Sequence, residues 1–148
     1  MNVAGVAAYI LDNSVSMTTM KLQKLVFYSQ AESLCRTGKP LVDTQFYAWI
    51  NGPVSRDLFN LHRGLFLIRR RDLKITDTVK EPSLEDKKII DDVLNALGGL
   101  TGNQLSERTH NEDPWKNARE GLAPDQIGTE PITQEAIRSY YLKNPVLR

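Results

Sequence analysis

Apolar residues recur every three or four positions along most of the chain, which is the spacing of one face of an α-helix. Residues 3–13 are almost entirely apolar and predict a first helix. A second helix is predicted from Thr18, a favourable N-cap residue, to Arg36, with Gly38 and Pro40 as stop signals. The apolar stripe of this second helix is wide, so we expect it to lie near the centre of the fold.

Alternation with a period of two predicts strands in two short segments. Residues 45–51 carry aromatic and β-branched side chains in this pattern and are interpreted as a strand. Asn51, Gly52 and Pro53 end that strand with turn chemistry. Residues 73–76 alternate in the same way, and we expect them to pair with the first strand in a small sheet.

Capping signals place the remaining helices. The predicted N-cap residues are Ser55, Ser83, Thr101, Asp113 and Thr133. Pro114 follows Asp113 at the N1 position that proline favours, and Gln104 completes a capping box with Thr101. The predicted fold is mainly α (α+β), a single compact domain over residues 1–148 with five to six helices and a small β-hairpin or minor sheet.

The composition is that of an ordinary globular protein, with 41% hydrophobic and 25% charged residues. The 19 basic and 18 acidic residues nearly cancel, which argues against nucleic acid or an anionic membrane as the partner. Cys35 is the single cysteine, so a reduced, cytoplasmic setting is expected. The apolar run at residues 3–11 has no preceding basic residue and is too short to cross a bilayer, so we expect a helix rather than a signal or a membrane span.

The sequence contains no GxSxG, P-loop or GxGxxG motif. His62, His110 and Cys35 lack the spacing of metal ligands, and the polar group around Glu112 is explained more simply by the start of a helix. An enzyme built on His62, His110 and Glu112 is kept as an alternative hypothesis. The sequence favours a protein that is not an enzyme, without catalytic residues, cofactor or metal.

Two tryptophans and one run of arginines are the most conspicuous remaining features. Aromatic residues anchor both cores and interfaces, and a core position is favoured for Trp49 and for Trp115. Arg69, Arg70 and Arg71 are more typical of a solvated strand or loop than of a phosphate site, because a single short cluster is a weak footprint of nucleic-acid binding.

Several sequence blocks are more specific than these patterns. Residues 19–31 resemble the signature helix of the SocA-like antitoxin family, which carries the Panacea domain. Further matching blocks follow in the family's order at residues 37–41, 48–54, 98–100, 105–110 and 113–115. The chain departs from the family pattern at Asn51, where many relatives carry tyrosine, and the basic segment at residues 69–76 does not align with it.

The resemblance implies a function that composition does not. Members of the family are typically antitoxins of bacteria, prophages or other mobile elements, encoded beside a toxin, and many neutralise the toxin by binding it. Some partner toxins resemble small alarmone synthetases. A SocA-like member can instead act as an adaptor that delivers its toxin to an ATP-dependent protease. We therefore expect direct binding of a cognate toxin, with the proteolytic adaptor as the alternative.

Three groups of residues are candidates for contact with the partner protein. They are Lys21, Gln23 and Lys24 on the signature helix, Trp49, Asn51, Gly52 and Pro53 at the strand end and turn, and Arg69, Arg70 and Arg71 in the basic segment. An alternative for the first group is a solvated helix face, in which Gln23 ties the helix to the turn. For the third group, we expect charge reversal to weaken binding to an acidic face of the toxin.

Overall fold

Capping motifs set most of the element boundaries in this computed structural model, which describes residues 1–75 and 78–147. The helices of the described residues are α1 Val3–Asp12, α2 Thr19–Thr37, α3 Arg56–His62, α4 Leu84–Leu97, α5 Gly102–His110, α6 Asp113–Ala118 and α7 Gln134–Lys143. The strands are β1 Met17–Thr18, β2 Phe46–Trp49, β3 Gly52–Ser55, β4 Leu67–Ile68 and β5 Pro131–Ile132, and a 3-10 helix spans Arg70–Asp72. The prediction of a mainly helical domain with a small sheet is confirmed.

Helix α2 lies at the centre of the fold, as its wide apolar stripe predicts. The Thr18 side chain accepts a hydrogen bond from the backbone nitrogen of Lys21 at 3.1 Å, and Gly38 ends the helix in the left-handed conformation with φ 75°. Phe27 and Tyr28 are almost fully buried, because α1, α4, α5 and α7 pack around α2. Burial on several sides makes α2 a fixed platform for the residues at its N-terminal end.

A three-stranded antiparallel sheet, in the order β3-β2-β5, lies against α2 through β3. The sequence predicts a turn at Asn51, Gly52 and Pro53, and this position is wrong by about one residue. Trp49 pairs with Gly52, so the chain reverses at Ile50 and Asn51, and Gly52 and Pro53 belong to β3. Pro53 is tolerated there because β3 is an edge strand, where a missing backbone donor breaks no ladder hydrogen bond.

The strand predicted at residues 73–76 is wrong over residues 73–75, and Thr76 lies outside the described residues. The partners of β2 are β3 and β5, and the second sheet instead pairs β1 with β4. The backbone nitrogen of Lys74 donates to the carbonyl of Leu61 at 3.0 Å, and the Leu73 side chain is buried. This segment therefore packs against the end of α3 through single contacts. The alternation of apolar and polar residues in it does not reflect pairing with a neighbouring strand.

The N-cap residues predicted for α3, α4, α5 and α7 are confirmed, since each side chain accepts a hydrogen bond from a backbone nitrogen in the first turn. For α6 the prediction is wrong by one residue. Glu112 is the N-cap residue and makes no side-chain cap, while Asp113 and Pro114 occupy the first two helical positions. The Glu112 side chain points instead into the core, where buried partners hold it.

Candidate partner-binding site

An open cleft of about 350 Å³ lies where α2, the β2–β3 hairpin and α3 meet. We call it the α2 cleft and define it by its floor, Gln23, Lys24 and His62, and by its rim, Ile50, Phe66 and Ile127. The rim is apolar yet open to solvent, with exposed fractions of 42% for Ile50, 73% for Phe66 and 61% for Ile127. Several large apolar side chains exposed around one concave site are typical of an interaction surface.

Gln23 joins the floor of the cleft to the hairpin. Its side-chain oxygen accepts from the backbone nitrogen of Ser55 at 2.9 Å, and its amide nitrogen donates to the carbonyl of the same residue at 3.1 Å. The same amide nitrogen lies 3.0 Å from Nε2 of His62. Burial lowers the pKa of His62, so we infer a neutral ring whose Nε2 accepts from Gln23. These bonds fix α2, β3 and α3 relative to one another.

Lys24 places an amine in an almost entirely buried position, with 1% of its surface exposed. Its Nζ donates to the carbonyl of Pro53 at 3.1 Å. No ion pair joins Lys24 to a carboxylate within residues 1–75 and 78–147. Burial without a counter-charge disfavours the ammonium form and lowers the pKa of Lys24 from 10.5 to about 7. The floor of the cleft therefore holds an amine that is only partly charged near neutral pH.

Gly52 makes room for Lys24. Its φ is +119°, a conformation that side chains with a Cβ rarely adopt, and a Cβ at this position would collide with Cε of Lys24. The same Cβ would approach Oγ1 of Thr109 to 2.8 Å. The glycine is therefore required both by the backbone of the hairpin and by the path of the lysine side chain.

Aromatic side chains form one wall of the α2 cleft. The rings of Trp49 and Phe59 meet edge to face with centroids 5.3 Å apart, and Phe59 meets the His62 ring in the same way at 5.4 Å. Such edge contacts are favourable because the positive ring edge faces the negative ring surface. Trp49 is half-buried and lines the cleft. The sequence favoured a position in the core for this residue.

Side chains from α6 and the segment after it support the far side of the hairpin. The indole nitrogen of Trp115 donates to the carbonyl of Trp49 at 2.8 Å, and Arg119 donates to the carbonyl of Ala48 at 2.7 Å. Arg119 also holds the loop after α6, through the carbonyls of Ala123 and Gln126 at 2.9 and 2.6 Å. One arginine thus fixes the hairpin and the loop that carries Ile127 of the rim.

The same loop touches the hairpin at Gly128, where a Cβ would collide with the carbonyl oxygen of Ala48. His110 stacks on Trp115 with ring centroids 4.0 Å apart. Burial lowers the pKa of His110, and its Nε2 is buried without a hydrogen-bond partner in the part of the chain that the structure describes. His110 and Trp115 therefore act together as packing under the hairpin, and Trp115, like Trp49, is half-buried.

Glu112 lies in a separate buried cluster. Its Oε1 accepts from the hydroxyls of Tyr28 at 2.5 Å and Tyr141 at 2.8 Å, and its Oε2 lies 3.4 Å from Nε of Arg108. Burial and the Glu112 carboxylate raise the pKa of Tyr28, and burial, Tyr28 and Glu112 raise that of Tyr141. Because its carboxylate is occupied by these partners, Glu112 acts as a structural tie between α2, α5 and α7.

The structure brings together two of the three predicted groups. Four predicted contact residues line the α2 cleft, and they are Gln23, Lys24, Trp49 and Asn51. Gly52 and Pro53 lie directly behind Lys24. A solvated helix face, the alternative for this stretch of α2, is wrong for Gln23 and Lys24, which are buried. Gln23 ties α2 to the hairpin as suggested, although it does so at Ser55 and not at the turn.

The other predicted residues lie outside the cleft. Lys21 donates to the carbonyl of Gly98 at 2.6 Å and lines a different depression, beside α4. The three arginines are exposed around the 3-10 helix, where Arg70 pairs with Asp12 at 2.9 Å and Arg69 with Asp72 at 3.6 Å. They form a second, charged surface that follows β4 in the chain.

Sequence reasoning missed most of the other cleft residues, among them Phe59 of the wall and all three rim residues, Ile50, Phe66 and Ile127. It considered His62 of the floor only for a metal or catalytic role. Ile127 carried a usable signal, since it is an isolated large apolar residue in an otherwise polar loop. Phe66 follows a helix end and gave no periodicity by which to judge its exposure. Their convergence depends on tertiary contacts between segments that are far apart in the chain.

Metal and membrane sites were also considered. Within the described ranges, no three histidine, cysteine, aspartate or glutamate side chains lie close enough to hold a metal ion. No helix of the described residues combines the length and the apolar character needed to span a membrane.

Comparison with known proteins adds to this geometry. A family model described as antitoxin SocA-like, Panacea domain, matches residues 22–116, well over half of the chain. Searches of the curated proteins and of the solved structures gave no significant match. The chain belongs to the SocA-like antitoxin family with the Panacea domain, which supports an antitoxin role in a toxin–antitoxin system. The matched segment begins in the first turn of α2, ends within α6 and includes every floor residue of the α2 cleft.

Proposed function

We propose that this protein neutralises a cognate toxin by binding it directly, and that the α2 cleft is the centre of the contact surface. The observation that carries the proposal is the solvent-exposed apolar rim, Ile50, Phe66 and Ile127, around a concave floor. Exposed apolar side chains that surround a pocket supply binding free energy when a partner excludes water from them. Family membership makes a toxin the expected partner.

The construction of the cleft favours tight binding. Gln23 fixes the floor to β3, and Arg119 and Trp115 fix the hairpin from behind. Side chains and loops that are already held in place lose little conformational entropy on association. A standard interface buries about 1,600 Å² in total, and the cleft is suited to form its central, best-packed part.

The proposed mechanism is steric. The antitoxin covers or distorts the active site of the toxin and needs no reaction of its own. Glu112 is occupied by Tyr28, Tyr141 and Arg108, and His62 is held by Gln23, so neither is available as a general base in the arrangement that the structure describes. This arrangement favours binding over the alternative of an enzyme built on His62, His110 and Glu112.

The test is co-expression with the product of the adjacent gene. Direct neutralisation predicts that growth is restored and that the two proteins purify together at a fixed ratio by size exclusion. A catalytically inactive variant of the toxin keeps the cells alive while the complex is isolated. Blocked growth despite abundant soluble antitoxin would show that the proposal is wrong for this pair.

A proteolytic adaptor gives different results in the same experiment. Rescue would disappear in a strain that lacks the ATP-dependent protease, and the toxin would have a shorter half-life when the antitoxin is present. Direct neutralisation predicts an unchanged toxin half-life and rescue in both strains. Measuring toxin levels after translation is stopped therefore separates the two mechanisms.

A further inference from the structure

Lys24 is the least expected feature of the α2 cleft. A buried ammonium group costs several kcal/mol of free energy unless a carboxylate compensates it. Within the described ranges, the one hydrogen bond recorded for its Nζ goes to the carbonyl of Pro53, and no carboxylate lies within ion-pair distance. An ammonium group has three donors, so donors remain for a further acceptor. The floor of the cleft thus holds an amine that can become cationic but has no carboxylate of its own among the described residues.

The side chains around Lys24 limit which kind of partner can bind in the cleft. The rim residues Ile50, Phe66 and Ile127 are apolar, and the wall consists of Trp49 and Phe59. An occupant that covers this surface must itself be largely apolar. The one place where the floor favours negative charge is the Lys24 amine, so the occupant must carry its carboxylate close to its apolar group.

We propose that the α2 cleft receives a segment of the toxin in which a large apolar side chain stands beside a carboxylate, and that this carboxylate pairs with Lys24. The inference rests on the proposed function, because it takes the toxin as the partner. The exposed rim extends beyond the floor, and a protein segment covers such a rim while a small carboxylic acid would leave it in water. Pairing in a site that excludes water makes the contact strong and specific.

Protonation is coupled to this pairing. A carboxylate next to Lys24 stabilises the ammonium form, so the complex binds a proton that the free antitoxin has partly lost above pH 7. Among the described residues, the charged or titratable groups that act on this region include His62 on α3, Glu107 and His110 on α5, and Arg119 behind the hairpin. Burial lowers the pKa of both histidines, so they are neutral above pH 7. The affinity is therefore expected to fall between pH 7 and 9 because of Lys24.

The experiment measures the dissociation constant of the antitoxin and an inactive variant of the adjacent-gene product by calorimetry. Lys24→Met is compared with Lys39→Met, which removes an exposed lysine just after the end of the same helix and outside the cleft. We expect Lys24→Met to weaken binding roughly 30-fold or more at pH 6.5, because the partner's carboxylate loses its buried counter-charge. Lys39→Met is expected to bind like the wild type.

Two further readouts supplement the affinity of the Lys24 variant, and the second does not depend on how that variant folds. The wild-type dissociation constant should rise up to about tenfold per pH unit above pH 7, and this slope should be absent in Lys24→Met. Phe66→Ser and Ile127→Ser change exposed rim residues and should each weaken binding about tenfold. Leu84→Ser is their matched control, since Leu84 is 85% exposed and lies outside the cleft.

The outcomes separate the inference from the proposed function. If the wild type binds and either Lys24→Met or both rim variants bind equally well, the inference is overturned while direct neutralisation stands. If the wild type does not bind at all, both fail. If the antitoxin alone forms a dimer that Phe66→Ser dissociates, a second copy of this chain occupies the cleft, and the inference is again overturned.

Discussion

Replacement of Lys24 by methionine should make the free antitoxin more stable at acidic pH, even though it removes a hydrogen bond. The two side chains have similar length, and methionine fills a buried channel without a charge. An unfolded lysine keeps its ordinary pKa of about 10.4. In the folded protein, burial lowers the pKa to about 7, so the unfolded state binds more protons between these values and wild-type stability rises with pH from 7 to 10.

The size of the effect follows from the same shift. The pKa of Lys24 falls from 10.5 to about 7 on folding. Below pH 7, burial of the charged side chain therefore lowers the free energy of unfolding by about 5 kcal/mol. Methionine leaves the Pro53 carbonyl without its donor, which costs about 1 kcal/mol. Local relaxation and water penetration reduce the first contribution more than the second. We therefore expect Lys24→Met to stabilise the protein by about 2 to 4 kcal/mol at pH 6 and by close to zero at pH 9.5.

The assay is urea denaturation followed by circular dichroism, at pH 6 and at pH 9.5, for the wild type and for Lys24→Met. Lys21→Met is the control, because its amine lies in a different depression and should give the same stability difference from the wild type at both pH values. The reasoning is refuted if Lys24→Met is less stable than the wild type at pH 6. It is equally refuted if its stability difference does not change with pH.

Three further predictions concern other features of the site. Glu112→Ala should lower the free energy of unfolding by about 3 to 5 kcal/mol, measured in urea, because it leaves buried tyrosine hydroxyls and Arg108 without their acceptor. Gly52→Ala should cost about 2 kcal/mol or more in the same assay, because the position combines positive φ with a collision against Lys24. Arg71→Glu should slow association with the toxin several-fold at low salt, measured by stopped flow. An exposed charge affects the association rate more than it affects the dissociation rate of the complex.

Each of these predictions has a matched control. Glu107→Ala removes an exposed carboxylate one turn before Glu112 and should change stability by less than about 0.5 kcal/mol. Gly99→Ala should be tolerated, since φ there is not positive and a Cβ would meet no atom within 4 Å. The effect of Arg71→Glu should vanish near 0.5 M salt, about where screening becomes nearly complete. Equal losses in a variant and its control, or an association rate of Arg71→Glu that is insensitive to salt, would contradict these arguments.

The helical framework could be predicted from the sequence because its signals are local. The Thr101 and Gln104 capping box lies within a single turn, and the observed helix begins where it predicts. The breadth of the apolar stripe on α2 likewise predicted its central position. The strand predicted at residues 73–76 failed because a short alternating run fits a buried connector as well as it fits a strand.

The candidate site was predictable only in part. The match to the family's signature helix pointed to Gln23 and Lys24, but their polarity suggested a solvent-facing surface. Their burial depends on β3, whose residues follow about 30 positions later and cover them. Phe66 and Ile127 lie at the same rim although they are 61 residues apart in the chain, and no local sequence pattern indicates that they come close together.

The hydrogen bond from Arg119 to the hairpin joins residues that are synthesised at different times. The carbonyl that Arg119 binds in the hairpin belongs to Ala48, 71 residues earlier in the chain. At a synthesis rate of about 5 to 20 residues per second, the hairpin leaves the ribosome several seconds before the arginine that holds it. Until then, the rear support of the hairpin and the loop with Ile127 are both missing from the nascent chain. If the α2 cleft binds the toxin as proposed, that binding surface is completed only late in the translation of the antitoxin.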